Sequence, residues 1–294
     1  SVENINSEIS KSLKNFDVFN QEEIDQTLIN LDGTRQKKRL GANSILAVSI
    51  ATSKVAAISK NISLFKYLGG STSYTLPKPL MNIINGGAHA NNSLRIQEFM
   101  IRPDLAASFS EVMKICFLII QKLKSILVKK NLSTNVGDEG GFAPSLSNDE
   151  DAIELILEAT KNAGFEAGKD IGICLDVASN ELFKDGKYAV SSSTYNTPEQ
   201  TIDYYKNLIS KYPIKSIEDP FAEDDWMAWT KLTEKIGKNV QIVGDDLFVT
   251  NEKRLNKGIE SKSANSILIK ANQIGTLTET LNVINLAQKN NFTT

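Results

Sequence analysis

The stretch Ile214-Lys215-Ser216-Ile217-Glu218-Asp219-Pro220 is a short β-prone run that ends in two carboxylates and is closed by proline. Three other runs share its form. Ile171 to Leu175 leads into Asp176, Val240 to Gly244 leads into Asp245 and Asp246, and Ser266 to Ile269 leads into Lys270. The intervals between these charged ends, 42, 27 and 25 residues, leave room for one crossover helix and its loops, so successive parallel strands of one sheet are expected. In a parallel α/β barrel the strand interiors pack apolar side chains while the C-terminal ends carry the chemistry. Three acids and a lysine are therefore expected at one mouth.

At 294 residues and 41% hydrophobic content, the chain has enough apolar material for one barrel and a smaller piece. Its 33 basic and 35 acidic residues leave a net charge of -2, which exerts no overall attraction on nucleic acid or an anionic membrane. Nucleic acid is not an expected partner. Cys116 and Cys174 each sit inside an apolar run without metal-ligand spacing, so buried free thiols and a reducing, cytoplasmic setting are expected. No segment approaches 18 uninterrupted apolar residues and no basic region precedes an apolar one at the N-terminus, so neither a membrane span nor a signal peptide is expected.

Residues 1 to 74 read as helical: an amphipathic Val2 to Leu13, then Gln21 to Leu31, then one long Ala-rich helix from Asn43 to Leu68. The basic cluster Arg35-Gln36-Lys37-Lys38-Arg39 reads more readily as a solvated loop than as a binding patch. Gly69-Gly70-Ser71-Thr72-Ser73, followed by Pro77 and Pro79, marks a linker, which divides the chain into domains 1–74 and 75–294. Leu80 to Ile84 and Ile96 to Ile101 are strands, and between them lies a glycine-rich loop carrying His89, the single histidine of the chain. A lone histidine is more often structural than catalytic, but one in a glycine-rich loop at a strand end can reach a ligand, so both readings stay open for His89. Glu98 lies within a strand, where burial is costly unless the carboxylate is paired or used. Gly137-Asp138-Glu139-Gly140-Gly141 holds two acids among three glycines; spacing alone does not say whether Glu139 meets Glu98. Ser147 to Glu150, Thr197 to Gln200 and Thr276 to Glu279 open helices as capping boxes, and Phe109 to Lys129 is a further helix. From Leu80 onward there are at most seven strand candidates, fewer than an eight-stranded barrel requires.

Three carboxylates at neighbouring strand ends, with no histidine or cysteine cluster, suit a hard cation with oxygen ligands, and Mg²⁺ fits best. A lysine beside them has its pKa lowered by desolvation and the ion, and serves as a general base. The expected reaction is removal of a proton next to a carboxylate.

Met81 to Ala90, Gln97-Glu98-Phe99-Met100, Gly137 to Gly141, Ser216 to Pro220, Gly244-Asp245-Asp246-Leu247 and Leu268 to Gly275 closely resemble the enolase family, in that family's order and in a bacterial-type wording. The resemblance implies an enolase-type (β/α)8 barrel, incomplete at its C-terminus, with the helical part of an α+β N-terminal domain. It implies Mg²⁺-dependent interconversion of 2-phosphoglycerate and phosphoenolpyruvate. Asp176, Glu218 and Asp245 would hold the metal, with Asp245 chosen over Asp246 by its place in the motif. Lys270 would take the substrate proton, Glu139 aided by Glu98 would protonate the departing hydroxyl, and His89 and Gln97 would contact substrate together with Glu98, Glu218, Asp245 and Lys270. A homodimer or higher oligomer in the cytoplasm is implied, with cell-surface display as a secondary location.

The family pattern also includes an earlier metal-binding loop, a later phosphate-binding motif and a second lysine. These are not found in the chain, which on this reading is an internal fragment expected to be inactive alone and to fold poorly. Ala178-Ser179-Asn180-Glu181 departs slightly from the family's wording after the metal aspartate. A racemase or cycloisomerase of the same superfamily fits the acid loop and the His89 loop less well. A non-catalytic binding protein, using basic loops to hold a partner, is disfavoured because the visible acids and Lys270 are retained.

Overall fold

The computed structural model describes residues 1–70, 74–191 and 193–294. The Ser71-Thr72-Ser73 portion of the expected linker lies outside the described residues. The chain divides into two compact units. Unit 1 comprises Ser1–Thr75, Phe248–Lys257 and Ile267–Thr294; unit 2 comprises Leu76–Leu247 and Gly258–Ser266.

Unit 2 is built on a sheet. Its strands are β1 (Met81–Asn85), β2 (Glu98–Pro103) and β3 (Ile171–Asp176), after which β4 (Phe183–Lys184), β5 (Lys187–Ala189) and β6 (Tyr195–Asn196) form a small separate meander. β7 (Ile214–Glu218) and β8 (Gln241–Gly244) then return to the main sheet. β3, β7 and β8 pair in parallel, as expected, with Asp176 opposite Glu218 and Glu218 opposite Val243. All six residues of β3 are buried, which explains why its sequence is a continuous apolar run rather than an alternating one. β2 runs antiparallel to both β1 and β3, a direction the apolar pattern alone does not reveal. That reversal brings the start of β2, with Glu98, opposite the end of β3 at Asp176.

The fourth expected strand is shorter than the reading from Ser266 to Ile269. Only β9, Ser266–Ile267, is extended, and Lys270 instead precedes the short helix Ala271–Ile274. Within unit 2, Asn265 fixes the approach to this strand: its side-chain oxygen accepts the Ile242 N–H at 2.7 Å and its amide donates to Gly237 O and Val240 O.

The helices form where caps and periodicity place them. Phe109–Lys129 turns Val112, Ile115, Cys116, Ile119 and Leu123 inward. Thr197 and Gln200 complete the expected capping box of Pro198–Lys211. The helix Asp149–Asn162 is capped by Asn148, whose side chain accepts the Asp151 N–H at 3.0 Å, and not by Ser147. Asparagine competes well for that position, so the actual start lies one residue later than the Ser-x-x-Glu pattern suggests. Cys116 and Cys174 are buried free thiols, pushed by burial up to about 11 and about 12.

In unit 1, Ile9, Ile24, Leu28, Leu40 and Ile45 form one apolar core. The expected long helix is two, Ala42–Ser59 and Leu64–Gly69, interrupted where Asn61 adopts a positive φ. Among the described residues, Ala42–Ser59 is the helix long and apolar enough by composition to cross a membrane. Its Ser49 is nevertheless buried in polar contacts, accepting from the Leu277 N–H and bonding the Gln21 side chain. Asp25 accepts the Thr278 N–H and hydroxyl at 2.9 and 2.7 Å, so the first turn of Leu277–Lys289 is fastened to the N-terminal helices. Most of the basic cluster is exposed, as a solvated loop would be, with Arg39 paired to Glu8; Lys37 alone among its cations is buried, against Glu279 at 3.0 Å.

Ile217 is fully buried at the centre of the sheet, so Ile217→Ala is expected to cost about 2–5 kcal/mol in a urea titration. Removing the half-buried cap hydroxyl in Thr197→Ala is expected to cost about 1 kcal/mol in the same titration. Equal losses would mean that sheet packing does not dominate.

Candidate metal and acid–base site

Three strands deliver the acids of unit 2. Asp176 ends β3, Glu218 ends β7, and Asp245 follows β8 directly. Because β3, β7 and β8 are parallel and in register, these ends share one edge of the sheet. Glu218, Asp219 and Asp245 are buried, and each offers a carboxylate oxygen within 4.8 Å of the others. Asp176 stands beside Glu218, where its Oδ2 accepts from Gln97 Nε2 at 3.1 Å and its Oδ1 accepts the Ala178 N–H at 3.0 Å.

Burial, followed by repulsion from Asp176, Asp219, Asp245 and Glu98, holds the Glu218 carboxyl well above the usual carboxylate range. Asp219 is likewise raised, chiefly by burial, against a lowering contribution from the Asp246 backbone N–H. Crowding of this kind is unfavourable unless a positive charge is shared. The donor set is all oxygen, as a hard divalent cation requires.

Asp219 is the residue that sequence reasoning left out of the site. Its two oxygens accept the backbone N–H groups of Asp245 and Asp246 at 3.0 and 2.8 Å, and its own backbone adopts φ +41°. The signal was the Glu-Asp-Pro end of β7, where a second acid follows the first with no apparent task. Asp246 turns elsewhere, accepting from Asn180 Nδ2 at 3.0 Å. Asn180 also accepts the Glu223 N–H at 2.9 Å, so this slight departure from the family wording has a structural task. The loop after β7 is further held by Tyr205, whose hydroxyl donates to Pro220 O at 3.0 Å, and by Trp229, which donates to Ala222 O at 3.1 Å.

A second group stands at the ends of β1 and β2. His89 Nδ1 lies 3.4 Å from Glu98 Oε1, and ligand atoms of His89, Glu98 and Glu139 fall within 4.8 Å of one another. Glu139 arrives there because its loop hugs the end of β1. A side chain at Gly137 would meet His89 O at 2.5 Å, and one at Gly141 would meet Asn85 Oδ1 at 2.5 Å. The Gly137 N–H closes the loop on Gly141 O at 2.8 Å, and Glu139 itself takes φ +61°. The pairing of Glu98 with Glu139, open from spacing alone, is thus made by the fold.

Lys270 belongs to unit 1. There its backbone N–H donates to the hydroxyl of buried Thr250 at 2.8 Å, just before the helix Ala271–Ile274.

Carboxylates gathered at the strand ends of an α/β domain, beside an acid–histidine group, define a metal-assisted enzyme of the barrel type. Residues 73–294 match the model of the enolase C-terminal TIM barrel domain, and residues 1–68 match that of the enolase N-terminal domain. A relative named Enolase, from Pelagibacter ubique (strain HTCC1062), is 60% identical over 284 residues, covering 97% of this chain and 68% of that relative. The chain belongs to the enolase family, carbon–oxygen lyases that reversibly dehydrate 2-phosphoglycerate to phosphoenolpyruvate.

The raised carboxyls have a consequence for stability. A carboxyl whose pKa is higher folded than unfolded binds its proton more tightly in the folded state, so its contribution is full below the unfolded pKa and is lost as pH rises through the folded one. Without divalent cation, melting temperature is therefore expected to fall as pH rises above the ordinary carboxylate range, and Glu218→Gln is expected to flatten that fall. Thermal melts in chelator across this pH range check it; a slope unchanged in the variant would contradict the raised Glu218 carboxyl.

Proposed function

We propose that the dehydration of 2-phosphoglycerate by this chain depends on Mg²⁺ held by Asp176, Glu218 and Asp245. The observation that carries this reading is the convergence of carboxylates on one sheet edge, where the Glu218 and Asp219 carboxyls are held above the usual range chiefly by burial and then by the neighbouring acids. When bound, Mg²⁺ supplies the positive charge that makes removal of a proton next to a carboxylate accessible. Asp219 orients the Gly-Asp-Asp turn through the two backbone N–H groups it accepts.

On this reading Lys270 takes the substrate proton, an assignment supported by its place in the Leu-Ile-Lys-Ala-Asn-Gln motif. Glu139, with Glu98 beside it, protonates the leaving hydroxyl. His89 and Gln97 contact substrate: His89 adjoins the Glu98 carboxylate, and Gln97 is oriented by Asp176. The domain division at residue 74 is supported by family matches that end at 68 and begin at 73. A cytoplasmic location and a homo-oligomer, dimeric or higher, complete the proposal and rest on the family resemblance.

Mg²⁺ is expected to raise the melting temperature of the wild-type chain by mass action, and Glu218→Gln is expected to abolish most of that rise. An undiminished shift in the variant would remove Glu218 from the metal site. For the acid–base roles, Glu139→Gln and Lys270→Ala in the natural protein carrying this sequence are each expected to lower kcat by about 10²–10⁴-fold, followed as phosphoenolpyruvate absorbance. Wild-type turnover in either variant would sink its assignment.

A further inference from the structure

Away from the acid cluster, unit 2 contains a cavity of about 230 Å³ walled in part by Arg95, Ser147, Asn148, Ser191 and Tyr204. None of the residues assigned above to metal or proton transfer lines it. Arg95 is the unusual member. Its Nε is buried without a hydrogen-bond partner; its charge acts on the neighbouring Asp149 carboxyl, but among the described residues its guanidinium stands in no ion pair at contact distance. A buried, unmatched guanidinium N–H is costly to retain unless an acceptor arrives from elsewhere.

Two carboxylates share the wall, but both are engaged. Glu150 is bound by Lys211 and by the Tyr212 hydroxyl at 2.9 Å. Asp149 Oδ1 accepts the backbone N–H groups of Arg95 and Ile96 at 2.9 and 3.3 Å. Ser93, also on the wall, spends its hydroxyl hydrogen on Leu146 O, while the other polar groups lean toward donation. Asn148 spends its oxygen on the Asp151 N–H, which leaves its amide hydrogens. Ser191 Oγ accepts the Ser193 and Thr194 N–H groups, which leaves its O–H. The hydroxyls of Ser147 and Tyr204 are not spent on other described residues.

We infer that this cavity is a binding site for a small organic anion, a carboxylate or a phosphate, with the Arg95 guanidinium as its charge partner. Guanidinium matches both oxyanions in planar, two-pronged geometry, and charge-assisted bonds are about twice as strong as neutral ones. The volume also selects the class: it exceeds several times the roughly 30 Å³ share of one water, so a bare halide would leave most of it unfilled. The site stands independently of the reaction at the acid cluster. It is nevertheless connected in sequence to that cluster, because Asp149 holds the two residues that lead directly into Gln97 and Glu98.

The test is calorimetric titration of the Mg²⁺-loaded protein with malonate and, separately, with inorganic phosphate. Saturable binding of at least one probe is expected, and which one binds distinguishes carboxylate from phosphate. Arg95→Gln is expected to weaken that binding about 10- to 100-fold, the worth of one charge-assisted contact. Ser147→Glu, an exposed position where a new negative charge faces the same wall, is expected to weaken it as well. Binding of neither probe, or binding that survives Arg95→Gln in a folded protein, overturns the assignment. Should Arg95→Gln fail to fold, Ser147→Glu decides: retained affinity overturns it and reduced affinity supports it.

Discussion

Buried carboxylates repel one another, and in unit 2 the hydrogen-bond register of parallel strands holds them together regardless. Asp176 and Glu218 are opposed across β3 and β7, and Asp245 follows from β8 with no freedom to retreat. Each strand is anchored by apolar side chains that are almost wholly buried, among them Leu175, Ile217 and Ile242. Hydrophobic burial in the strand interiors thus offsets electrostatic repulsion at the strand ends. The acid cluster is a consequence of that arrangement rather than of any local affinity between the acids.

The surrounding loops keep this arrangement from relaxing. Asp219 converts a potential fourth repelling group into a brace for the backbone that carries Asp245. Gly137 and Gly141 let the acid loop come within contact of the β1 end, where a larger side chain would collide with His89 or Asn85. The left-handed backbone at Ala178, Asp219 and Glu139 falls at the points where the chain turns to present a site residue. Such strain is concentrated where presentation of a side chain outweighs local preference.

Unit 1 shows the same economy in a structural role. Within the basic loop, Lys37 is drawn inward and held by Glu279, while exposed Arg39 pairs with Glu8. Buried Asp25 and Ser49 receive the first turn of the helix Leu277–Lys289, so residues more than two hundred positions apart share one hydrogen-bonded core. Charge counting along the sequence does not see such pairings, because partners so distant in the chain are invisible to local pattern.

The sequence by itself determined the parallel strands, their acidic ends, most helices and the family, because apolar runs, caps and motifs are local signals read within a few residues. The positions of Asp176, Glu218 and Asp245 at strand ends were legible for that reason. Only the tertiary structure decided the antiparallel direction of β2, the meeting of His89, Glu98 and Glu139, the bracing task of Asp219 and the shortening of the strand before Lys270. Each of these depends on which backbone groups find partners far away in the chain, and hydrogen-bond partnership over long separations is set by the packed fold rather than by the residue's neighbours.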